Sequence, residues 1–438
     1  MPCPECNQAW NGYWCKPCNS KHFQNDFNNW TSGNDKIDKF IQDTQLNDND
    51  YGDVIEWIPY DRFKDVKQIG KGGFGTIHYA RWIDGNIGEW DIENQQWKRD
   101  REDEEVALKK FDNFVNLNDV LNEMAIHFKT YTEGASIKFY GITQDPETHS
   151  YMMVLQYAKD GNLREYLKIN FNNINWLRKL DNLWRLSSRL RNIHKLDIVH
   201  QDFHPGNILS SDFKNYYIFI SDFGLSKLIS ANPNNPEKKN IVGVLPYIAP
   251  EVLSGDEEYT KAADVYSFGI IAYEMITGFP PYPDIPHDKD LAIKICNGLR
   301  PKIPFHVPKL ITRMIMRCWD TRVTYRPTFE ELKDELKKYL YDYNGYLHNG
   351  KDSEIVIQIK KAEEFSANQE STNATTTTPL NYQTHPQAIY TSRLLNYSKL
   401  PNPKNEENFE RELEELTKSM SNLCPSDSGQ VDLDMSNF

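Results

Sequence analysis

Residues 198–209 read IVHQDFHPGNIL and have the composition of a loop between two apolar segments. Pro205 and Gly206 interrupt both helix and strand, so the polar centre of this stretch is predicted to be irregular. Four residues separate Asp202 from Asn207 within it. At that spacing one loop can hold a carboxylate near a hydroxyl group and present an amide to a metal ion. Ordinary loops also contain such residues, and the rest of the chain separates the two interpretations.

The composition excludes several classes of protein. The chain has 438 residues, 39% of them hydrophobic, and a formal net charge of −13. This apolar content suffices for a packed core, and the negative charge argues against a protein that coats nucleic acid or an anionic membrane. The sequence contains no apolar run long enough to cross a bilayer and no signal-peptide pattern at its start. We therefore expect an intracellular, cytoplasmic protein with no nucleic-acid or membrane partner.

Four of the seven cysteines form two closely spaced pairs near the start, Cys3 with Cys6 and Cys15 with Cys18. Each pair can present two thiolates from one tight turn, and four thiolates make the closed tetrahedral site that structural zinc prefers. The two pairs are closer together than in most zinc ribbons, so unligated cysteines remain the alternative. We predict a zinc-knuckle-like segment over residues 1–20.

A glycine-rich stretch follows the strand-like alternation that starts at Phe63. Its glycines are Gly70, Gly72, Gly73 and Gly75. Glycines leave backbone N–H groups free to approach phosphates, and the nearby Ile77 can rest on a purine ring. Because strands flank the motif on both sides, it predicts a hairpin lid over a nucleotide, with an ordinary glycine-rich turn as the alternative.

Lys109 stands alone in an apolar strand, VALK, at the end of a charged insertion over residues 84–105. The insertion is predicted to be a surface loop that lengthens a strand connection. A lysine in a buried strand is costly unless it is paired, and Glu123 in the next helical segment is the expected partner. A surface lysine at a strand end is the alternative.

These elements resemble the small lobe of a eukaryotic protein kinase, and the remaining motifs follow in that family's order. Residues 151–158 resemble the strand and hinge between the lobes, and the SDFG of residues 221–224 follows an apolar strand. The APE at residues 249–251 closes an activation segment. The resemblance covers residues 63–340. It implies an α+β, bilobal protein kinase fold with a β-rich N-lobe and a mostly helical C-lobe.

Two further motifs lie in the expected large lobe. Asp264 opens an apolar run that predicts a long buried helix. Arg326 is the ion-pair partner that the resemblance implies for Glu251. The motifs of this lobe resemble the tyrosine-kinase-like group, and the paired cysteines together with HPGN are similar to the expanded kinase set of arbuscular mycorrhizal fungi.

The resemblance implies roles for individual side chains, with ATP and Mg²⁺ as cofactors and a protein as substrate. The implied catalytic set is Asp202, Lys109, Asn207, Glu123 and His204. The implied ATP-binding set is Ile69, Gly70, Gly72, Gly73, Gly75, Ile77, Ala107, Lys109, Leu155, Gln156, Ala158 and Leu209. Asn207 and Asp222 would hold Mg²⁺. Asp202 would accept the proton of the substrate hydroxyl, while Glu123 would hold Lys109 against the α and β phosphates.

The activation segment departs from the family pattern. Gln201 stands where most kinases have the arginine that binds an activation-loop phosphate. Residues 225–246 contain neither threonine nor tyrosine, and their serines are Ser226 and Ser230. We therefore expect activity that does not require phosphorylation of this segment.

Two positions bear on the substrate residue. His204 stands in place of the lysine of Ser/Thr kinases, and Val244 in place of a threonine that braces the loop. The arrangement typical of tyrosine kinases is absent as well. The preference for Ser/Thr over Tyr therefore follows from the group resemblance alone, and the side chain of His204 is expected to make the rate depend on pH near neutrality.

The flanking regions complete the expected organisation. Residues 21–62 are predicted to be a polar linker with one short helix, and residues 341–438 a largely disordered tail with short acidic helices. Protein partners could bind the four-cysteine segment or the tail. The alternative to an active kinase is a catalytically impaired scaffold that has the kinase fold and acts through these two flanking regions.

Overall fold

The structure is a computed structural model that describes residues 2–9, 14–47, 52, 54–72, 75–111, 116–215, 217–228, 241–255, 258–371, 383–397 and 399–421. Its strands are β1 (Glu56–Trp57), β2 (Phe63–Gly72), β3 (Gly75–Trp82), β4 (Asn86–Asp91), β5 (Gln96–Asp100), β6 (Glu104–Phe111), β7 (Phe139–Gln144), β8 (Tyr151–Gln156), β9 (Ile198–Val199), β10 (Ile208–Asp212), β11 (Tyr217–Ile220), β12 (Lys227–Leu228), β13 (Ile241–Gly243) and β14 (Arg393–Leu395). Its helices are α1 (Lys16–Asp26), α2 (Asp35–Asn47), α3 (Leu117–Thr132), α4 (Leu163–Asn170), α5 (Trp176–Lys195), α6 (Pro250–Ser254), α7 (Lys261–Thr277), α8 (Lys289–Cys296), α9 (Lys309–Cys318), α10 (Phe329–Asn349), α11 (Glu354–Ser371) and α12 (Phe409–Ser421).

The small lobe is built on a six-stranded sheet with the strand order β1-β7-β8-β6-β3-β2. Neighbouring strands are antiparallel, apart from β1 and β7, which run parallel. Helix α3 covers one face of the sheet, where its Val120 and Met124 join an apolar cluster with Phe139 and Met153. The glycine-rich stretch lies at the β2–β3 hairpin, as the sequence predicts.

The large lobe is helical and is centred on α7, in which every residue from Ala263 to Thr277 is buried. Helix α7 contacts α5 and α9, and α5 contacts α10. The helices α7 and α9 approach so closely that a Cβ atom on Gly269 would lie 2.7 Å from the Cβ of Cys318, which only glycine permits. The predicted α+β, bilobal fold and the buried helix that Asp264 opens are confirmed.

The region before the sheet contains more structure than the polar linker with one short helix that the sequence predicts. Helix α2 is the expected helix, and its Ile37 and Ile41 are completely buried against the small-lobe cluster. Helix α1 was not predicted, because Phe23 is its one large apolar residue. Phe23 is nevertheless buried. A few apolar side chains therefore anchor a segment whose average composition is polar.

The insertion at residues 84–105 is not the predicted surface loop but contains a β-hairpin, β4 with β5. Its Trp97 ring stacks on Phe23 with centroids 4.4 Å apart and on Trp14 at 5.9 Å. Trp90 stacks on His22 at 3.9 Å. Aromatic stacking thus attaches α1 and the adjoining cysteines to the insertion, which explains why a charged stretch contains two tryptophans.

After residue 340 the described residues include the expected short helices, α11 and α12, but these pack on the large lobe instead of lying in a largely disordered tail. Helix α10 continues to Asn349, and α11 buries Ile355, Val356 and Ile359. Strand β14 pairs with β13, and α12 contacts α9. Apolar residues at helical spacing provide the burial that the polar average conceals. Among the helices that the structure describes, none is both long and apolar enough to span a membrane.

Candidate active site

A buried carboxylate fixes the backbone of the loop at residues 198–209. Asp264, at the start of α7, is completely buried and accepts hydrogen bonds from the backbone N–H groups of His200 at 2.9 Å and Gln201 at 3.3 Å. The Nε2–H of His194 donates to the same carboxylate at 2.9 Å. Because three donors share one buried acceptor, the loop is tied to the centre of the large lobe.

Asp202 and Asn207 come together as their spacing predicts. The side-chain amide nitrogen of Asn207 donates to the backbone carbonyl of Asp202 at 2.9 Å and lies 3.5 Å from its carboxylate. Asp202 is 5% exposed. Burial raises the pKa of Asp202. The adjacent His204 ring and a hydrogen bond from the Ser392 hydroxyl lower it by a larger amount, so the pKa lies below its ordinary value. Asp202 is therefore an ionised carboxylate that can accept a proton.

Lys109 lies between two carboxylates. Its ammonium group forms an ion pair with Glu123 of α3 and donates to Asp222 Oδ1 at 2.9 Å. Burial lowers the pKa of Lys109, but the two carboxylates outweigh burial and hold the pKa above its ordinary value. The pairing of Lys109 with Glu123 that the sequence predicts is present in the structure.

The segment with Asp222 is attached to both lobes. The backbone N–H of Ser221 donates to the carbonyl of Asn207 at 2.9 Å. Phe223 is completely buried, and its ring centroid lies 5.5 Å from that of His127 on α3 and 5.2 Å from that of His200. Burial raises the pKa of Asp222, but the Lys109 ammonium lowers it by a larger amount. The pKa therefore lies below its ordinary value, and the carboxylate of Asp222 stays ionised.

The donor set near Asp222 fits a magnesium ion. Asp222 offers carboxylate oxygens, and Asn207 has its amide nitrogen engaged by Asp202, which leaves its carbonyl oxygen for a cation. Such hard oxygen donors are the ligands that Mg²⁺ prefers.

Four of the predicted nucleotide-binding residues share one apolar cluster of the small lobe. Ala107, Leu155, Ala158 and Leu209 belong to one apolar cluster, while Ile69 in the hairpin is 46% exposed. These side chains offer an apolar surface to a flat ring. Gln156 ends β8 at the hinge, and Ile77 lies opposite Lys109 in the β3–β6 pairing.

The geometry of the hairpin requires a glycine at position 75. Gly75 has φ +150°, and a Cβ atom there would lie 2.0 Å from the carbonyl oxygen of Lys110. Gly70 pairs with Ile77 and Gly72 with Gly75. Gly73 lies outside the described residues.

The end of the activation segment is anchored by the predicted ion pair. Arg326 and Glu251 form two parallel hydrogen bonds of 2.7 and 2.8 Å, and both side chains are buried. Arg326 also donates to the backbone carbonyls of Asp320 and Ala262. A bidentate pair with its remaining donors satisfied is the geometry in which a buried charge is tolerated.

Of the two serines in residues 225–246, Ser226 is among the described residues. Ser226 is 2% exposed, and its hydroxyl donates to the carbonyl of His200 at 3.0 Å. Ser230 lies outside the described residues.

Val244, which stands in place of a threonine of the family pattern, is buried.

The ring of His204 has one nitrogen engaged by the loop itself. Its Nδ1 accepts a hydrogen bond from the backbone N–H of Gly206 at 3.0 Å. Its Nε2 lies 3.1 Å from the hydroxyl of Ser392 and 3.5 Å from Asp202. Sequence reasoning missed Ser392, because nothing in the polar sequence around it indicates a partner so distant along the chain.

The four N-terminal cysteines converge on one point. The sulfur atoms of Cys3, Cys6, Cys15 and Cys18 all lie within 4.8 Å of one another. Two of the distances are 3.8 Å, from Cys3 to Cys18, and 3.6 Å, from Cys6 to Cys15. Thiolates about 2.3 Å from a tetrahedral zinc ion lie about 3.8 Å apart. The cluster therefore has the dimensions of a four-thiolate metal site.

The buried pair of Lys109 with Glu123 and the paired Asp202 and Asn207 point to one class of protein. A family model described as "Protein tyrosine and serine/threonine kinase" matches residues 63–336. The chain belongs to this family.

Curated relatives agree with this class. The chain is similar to the "Probable serine/threonine-protein kinase pats1" of Dictyostelium discoideum, with 27% identity over 64% of this chain and 8% of the relative. It is similar to the "Tyrosine-protein kinase SPK-1" of Girardia tigrina, with 27% identity over 65% of this chain and 55% of the relative. An Arabidopsis thaliana "Protein kinase and PP2C-like domain-containing protein" is 31% identical over 45% of this chain and 34% of the relative. The chain thus spans less than two thirds of each relative.

The buried ion pair of Arg326 and Glu251 predicts a large loss of stability on truncation. Arg326→Ala should lower the free energy of unfolding by about 3–5 kcal/mol, because it leaves a buried carboxylate unpaired. Urea denaturation measures this loss. Lys168→Ala is the control, since its pair with Glu165 is about half exposed and should cost about 0–1 kcal/mol. Equal losses for the two variants would contradict the account.

Proposed function

We propose that this protein is an ATP-dependent protein kinase that phosphorylates serine and threonine side chains of protein substrates in intracellular signalling. The observation that carries the proposal is the assembled cluster in which Lys109 contacts both Glu123 and Asp222, while Asn207 contacts Asp202. Within the kinase family we assign the chain to the tyrosine-kinase-like group, as a relative of the expanded fungal set. Cytoplasmic location and further partners at the four-cysteine segment and the tail belong to the same proposal.

Each residue of the cluster contributes by position and charge. Lys109, held by Glu123, would bind the α and β phosphates of ATP, and Asp222 and Asn207 would hold Mg²⁺. When bound, the metal ion neutralises negative charge on the phosphates. Asp202, an ionised carboxylate, accepts the proton of the attacking hydroxyl. The apolar cluster at Leu155 holds the adenine ring and excludes water from it.

The preference for serine and threonine has two supports. Relatives such as pats1 carry serine/threonine-protein kinase in their printed names, although SPK-1 is named a tyrosine kinase. His204 also brings a ring nitrogen within hydrogen-bonding distance of a serine hydroxyl beside Asp202. We infer that His204 takes the place of the lysine that Ser/Thr kinases have there.

The first prediction concerns Asp202 as the base. Asp202→Asn should lower kcat for phosphate transfer to a generic protein substrate by about 10²–10⁴-fold, because the amide cannot accept the proton. Radiolabel transfer from ATP measures this rate, followed by phospho-amino-acid identification, which should find phosphoserine and phosphothreonine. Asp197→Asn, at a side chain that is 69% exposed, is the matched control.

Two results would contradict this proposal in different ways. Absence of transfer by folded wild-type protein would favour the catalytically impaired scaffold. Phosphotyrosine as the product would keep the kinase activity and overturn the preference for serine and threonine.

We also propose that activity does not depend on phosphorylation of the activation segment. Gln201 offers no positive charge to a phosphate, and the hydroxyl of Ser226 is buried and engaged. Strand β12 pairs with β9, and Arg326 anchors the far end of the segment through Glu251. The described parts of the segment are thus held by uncharged contacts and by one permanent ion pair.

A double variant tests this independence. Ser226→Ala with Ser230→Ala should keep the steady-state rate on a generic substrate within about threefold of wild type, because losing the Ser226 hydrogen bond costs only about 1 kcal/mol. The rate is measured per folded molecule, with the unfolded fraction taken from a thermal melt. A fall to the level of Asp202→Asn would overturn the proposal.

We propose that the four cysteines bind a structural zinc ion. Cys3, Cys15 and Cys18 are buried, and their sulfur atoms have the spacing of a four-thiolate site. The site would join the first turn of the chain to α1, which stacks on the insertion hairpin.

Metal analysis tests the zinc site. Purified protein should contain about one zinc ion per chain, and the double variant Cys6→Ser, Cys15→Ser should contain less than about a tenth of that, because two ligands are lost. Cys318→Ser, at a buried cysteine of the large lobe, is the control and should retain the metal. Equal metal content in both variants would contradict the site.

A further inference from the structure

A segment from the C-terminal part of the chain lies beside the catalytic loop. We name residues 383–397 the acceptor segment. Its strand β14 pairs antiparallel with β13 of the activation segment, with Arg393 opposite Gly243 and Leu395 opposite Ile241. Leu395 is 4% exposed and belongs to the apolar core of the large lobe, while the adjacent Leu394 is 49% exposed. Backbone pairing and the buried side chain of Leu395 therefore hold the segment in place. A peptide that adds a strand to the edge of a sheet is bound in the same way.

Ser392, immediately before this strand, contacts the residue that we propose as the base. Its hydroxyl donates to Asp202 Oδ2 at 2.5 Å, and its oxygen lies 3.1 Å from His204 Nε2. A hydroxyl bonded to a carboxylate at 2.5–2.7 Å is a charge-assisted hydrogen bond. A group whose proton is transferred to a base must lie within this reach of it. Ser392 thus occupies the place of a phosphoacceptor hydroxyl.

Contacts before Ser392 hold the segment on one side. The hydroxyl of Tyr390 donates to the carbonyl of Pro281 at 2.8 Å, and the guanidinium of Arg164 lies 4.4 Å from the Tyr390 ring centroid. The backbone N–H of His287 donates to the carbonyl of Gln387 at 2.9 Å. The segment therefore approaches Asp202 from a fixed direction.

Contacts after Ser392 hold the segment on the other side. Arg393 donates to the carbonyl of His287. Further along, the amide of Asn405 donates to Asp320 at 2.8 Å and its oxygen accepts from the backbone N–H of Thr321 at 2.9 Å. Because the chain is attached on both sides, the serine is presented at a high effective concentration.

We propose that Ser392 is the acceptor of an intramolecular phosphorylation, and that the acceptor segment occupies the protein-substrate groove until that reaction takes place. The proposal rests on the proposed kinase function. The Ser392 oxygen attacks the γ-phosphorus of ATP and forms an O–P bond, while the bond from that phosphorus to the β–γ bridging oxygen breaks. ADP leaves with the electron pair, and the hydroxyl proton passes to Asp202.

The phosphorylated side chain of Ser392 would no longer fit beside Asp202. A phosphoserine carries about −1.5 to −2 charges at neutral pH, and Ser392 lies against the ionised, buried carboxylate of Asp202. Like-charge repulsion in a poorly solvated site releases the segment and exposes the groove. Phosphorylation of the chain's own tail thus replaces the activation-loop phosphate for which Gln201 offers no partner.

Site mapping tests the proposal in the full-length protein. Phosphatase-treated protein is incubated with Mg²⁺ and radiolabelled ATP, together with myelin basic protein as a generic substrate, and phosphopeptides are sequenced by mass spectrometry. We expect phosphate on Ser392, with a first-order rate constant that stays unchanged over a 100-fold dilution. Ser392→Ala should remove this phosphopeptide, whereas Thr391→Ala, at an exposed neighbour, should leave the phosphorylation of Ser392 unchanged.

The outcomes separate the two proposals. Labelled myelin basic protein with unmodified Ser392 would overturn the intramolecular reaction and leave the kinase function standing. Labelling of Ser392 at a rate proportional to protein concentration would overturn the intramolecular step. Absence of label on both proteins would overturn the kinase function and this inference with it.

Two variants of β14 test occupation of the groove. Leu395→Asp places a charge in the apolar core and should raise the initial rate on myelin basic protein at least fivefold above the phosphatase-treated wild type, while slowing Ser392 labelling. Leu394→Asp introduces the same charge on the exposed side of the strand and should behave as wild type. An initial rate for Leu395→Asp equal to or below wild type would overturn occupation of the groove.

Discussion

The buried ammonium group of Lys109 is the constraint on which the rest of the active site depends. A buried charge is tolerated only when opposite charges and hydrogen bonds compensate its desolvation. Glu123 on α3 and Asp222 after β11 provide that compensation. The lysine therefore ties the sheet, the helix that covers it and the segment at the base of the cleft into one arrangement. Phe223 belongs to that segment, and the loop with Asp202 is joined to it by the hydrogen bond from Ser221 to Asn207 and to the large lobe by Asp264.

Much of this arrangement could be predicted from the sequence because its chemistry is local or obligatory. Glycine residues between strands predict a hairpin, and a lysine in an apolar strand requires a carboxylate, which Glu123 supplies. The pair of Arg326 and Glu251 is implied by the family resemblance, and its two hydrogen bonds meet the same requirement. In each case the cost of leaving a polar group unpaired restricts the possible structures.

Other features could not be predicted, because their partners lie far apart in the chain and their composition is polar. The insertion was predicted to be a surface loop, and nothing in the sequence identified Phe23 as the ring on which Trp97 stacks. A helix was expected near α11, but the packing of α11 and β14 on the large lobe was obscured by the many charged and amide residues around their few apolar side chains. Ser392 reaches Asp202 only because the tail folds back along the large lobe, and a single serine carries no sequence signal of such a contact.

One explanation covers the two positions, Gln201 and His204, at which the catalytic loop departs from the family pattern. Gln201 removes the binding site for an activation-loop phosphate, and His204 contacts both Asp202 and the tail serine. In the proposed mechanism, the loop that takes part in phosphate transfer also holds the tail. Control of the active site would then lie in the balance between the docked and the phosphorylated tail.

Hydrogen exchange at the backbone amides of residues 393–395 is the sharpest test of the proposal that phosphorylation releases a docked tail. These amides should be protected in dephosphorylated protein, stay protected with Mg²⁺ and a non-hydrolysable ATP analogue, and lose protection at least tenfold after incubation with Mg²⁺ and ATP. Asp202→Asn should retain the protection under all three conditions. Equal protection before and after ATP turnover, or no protection at the outset, would contradict it.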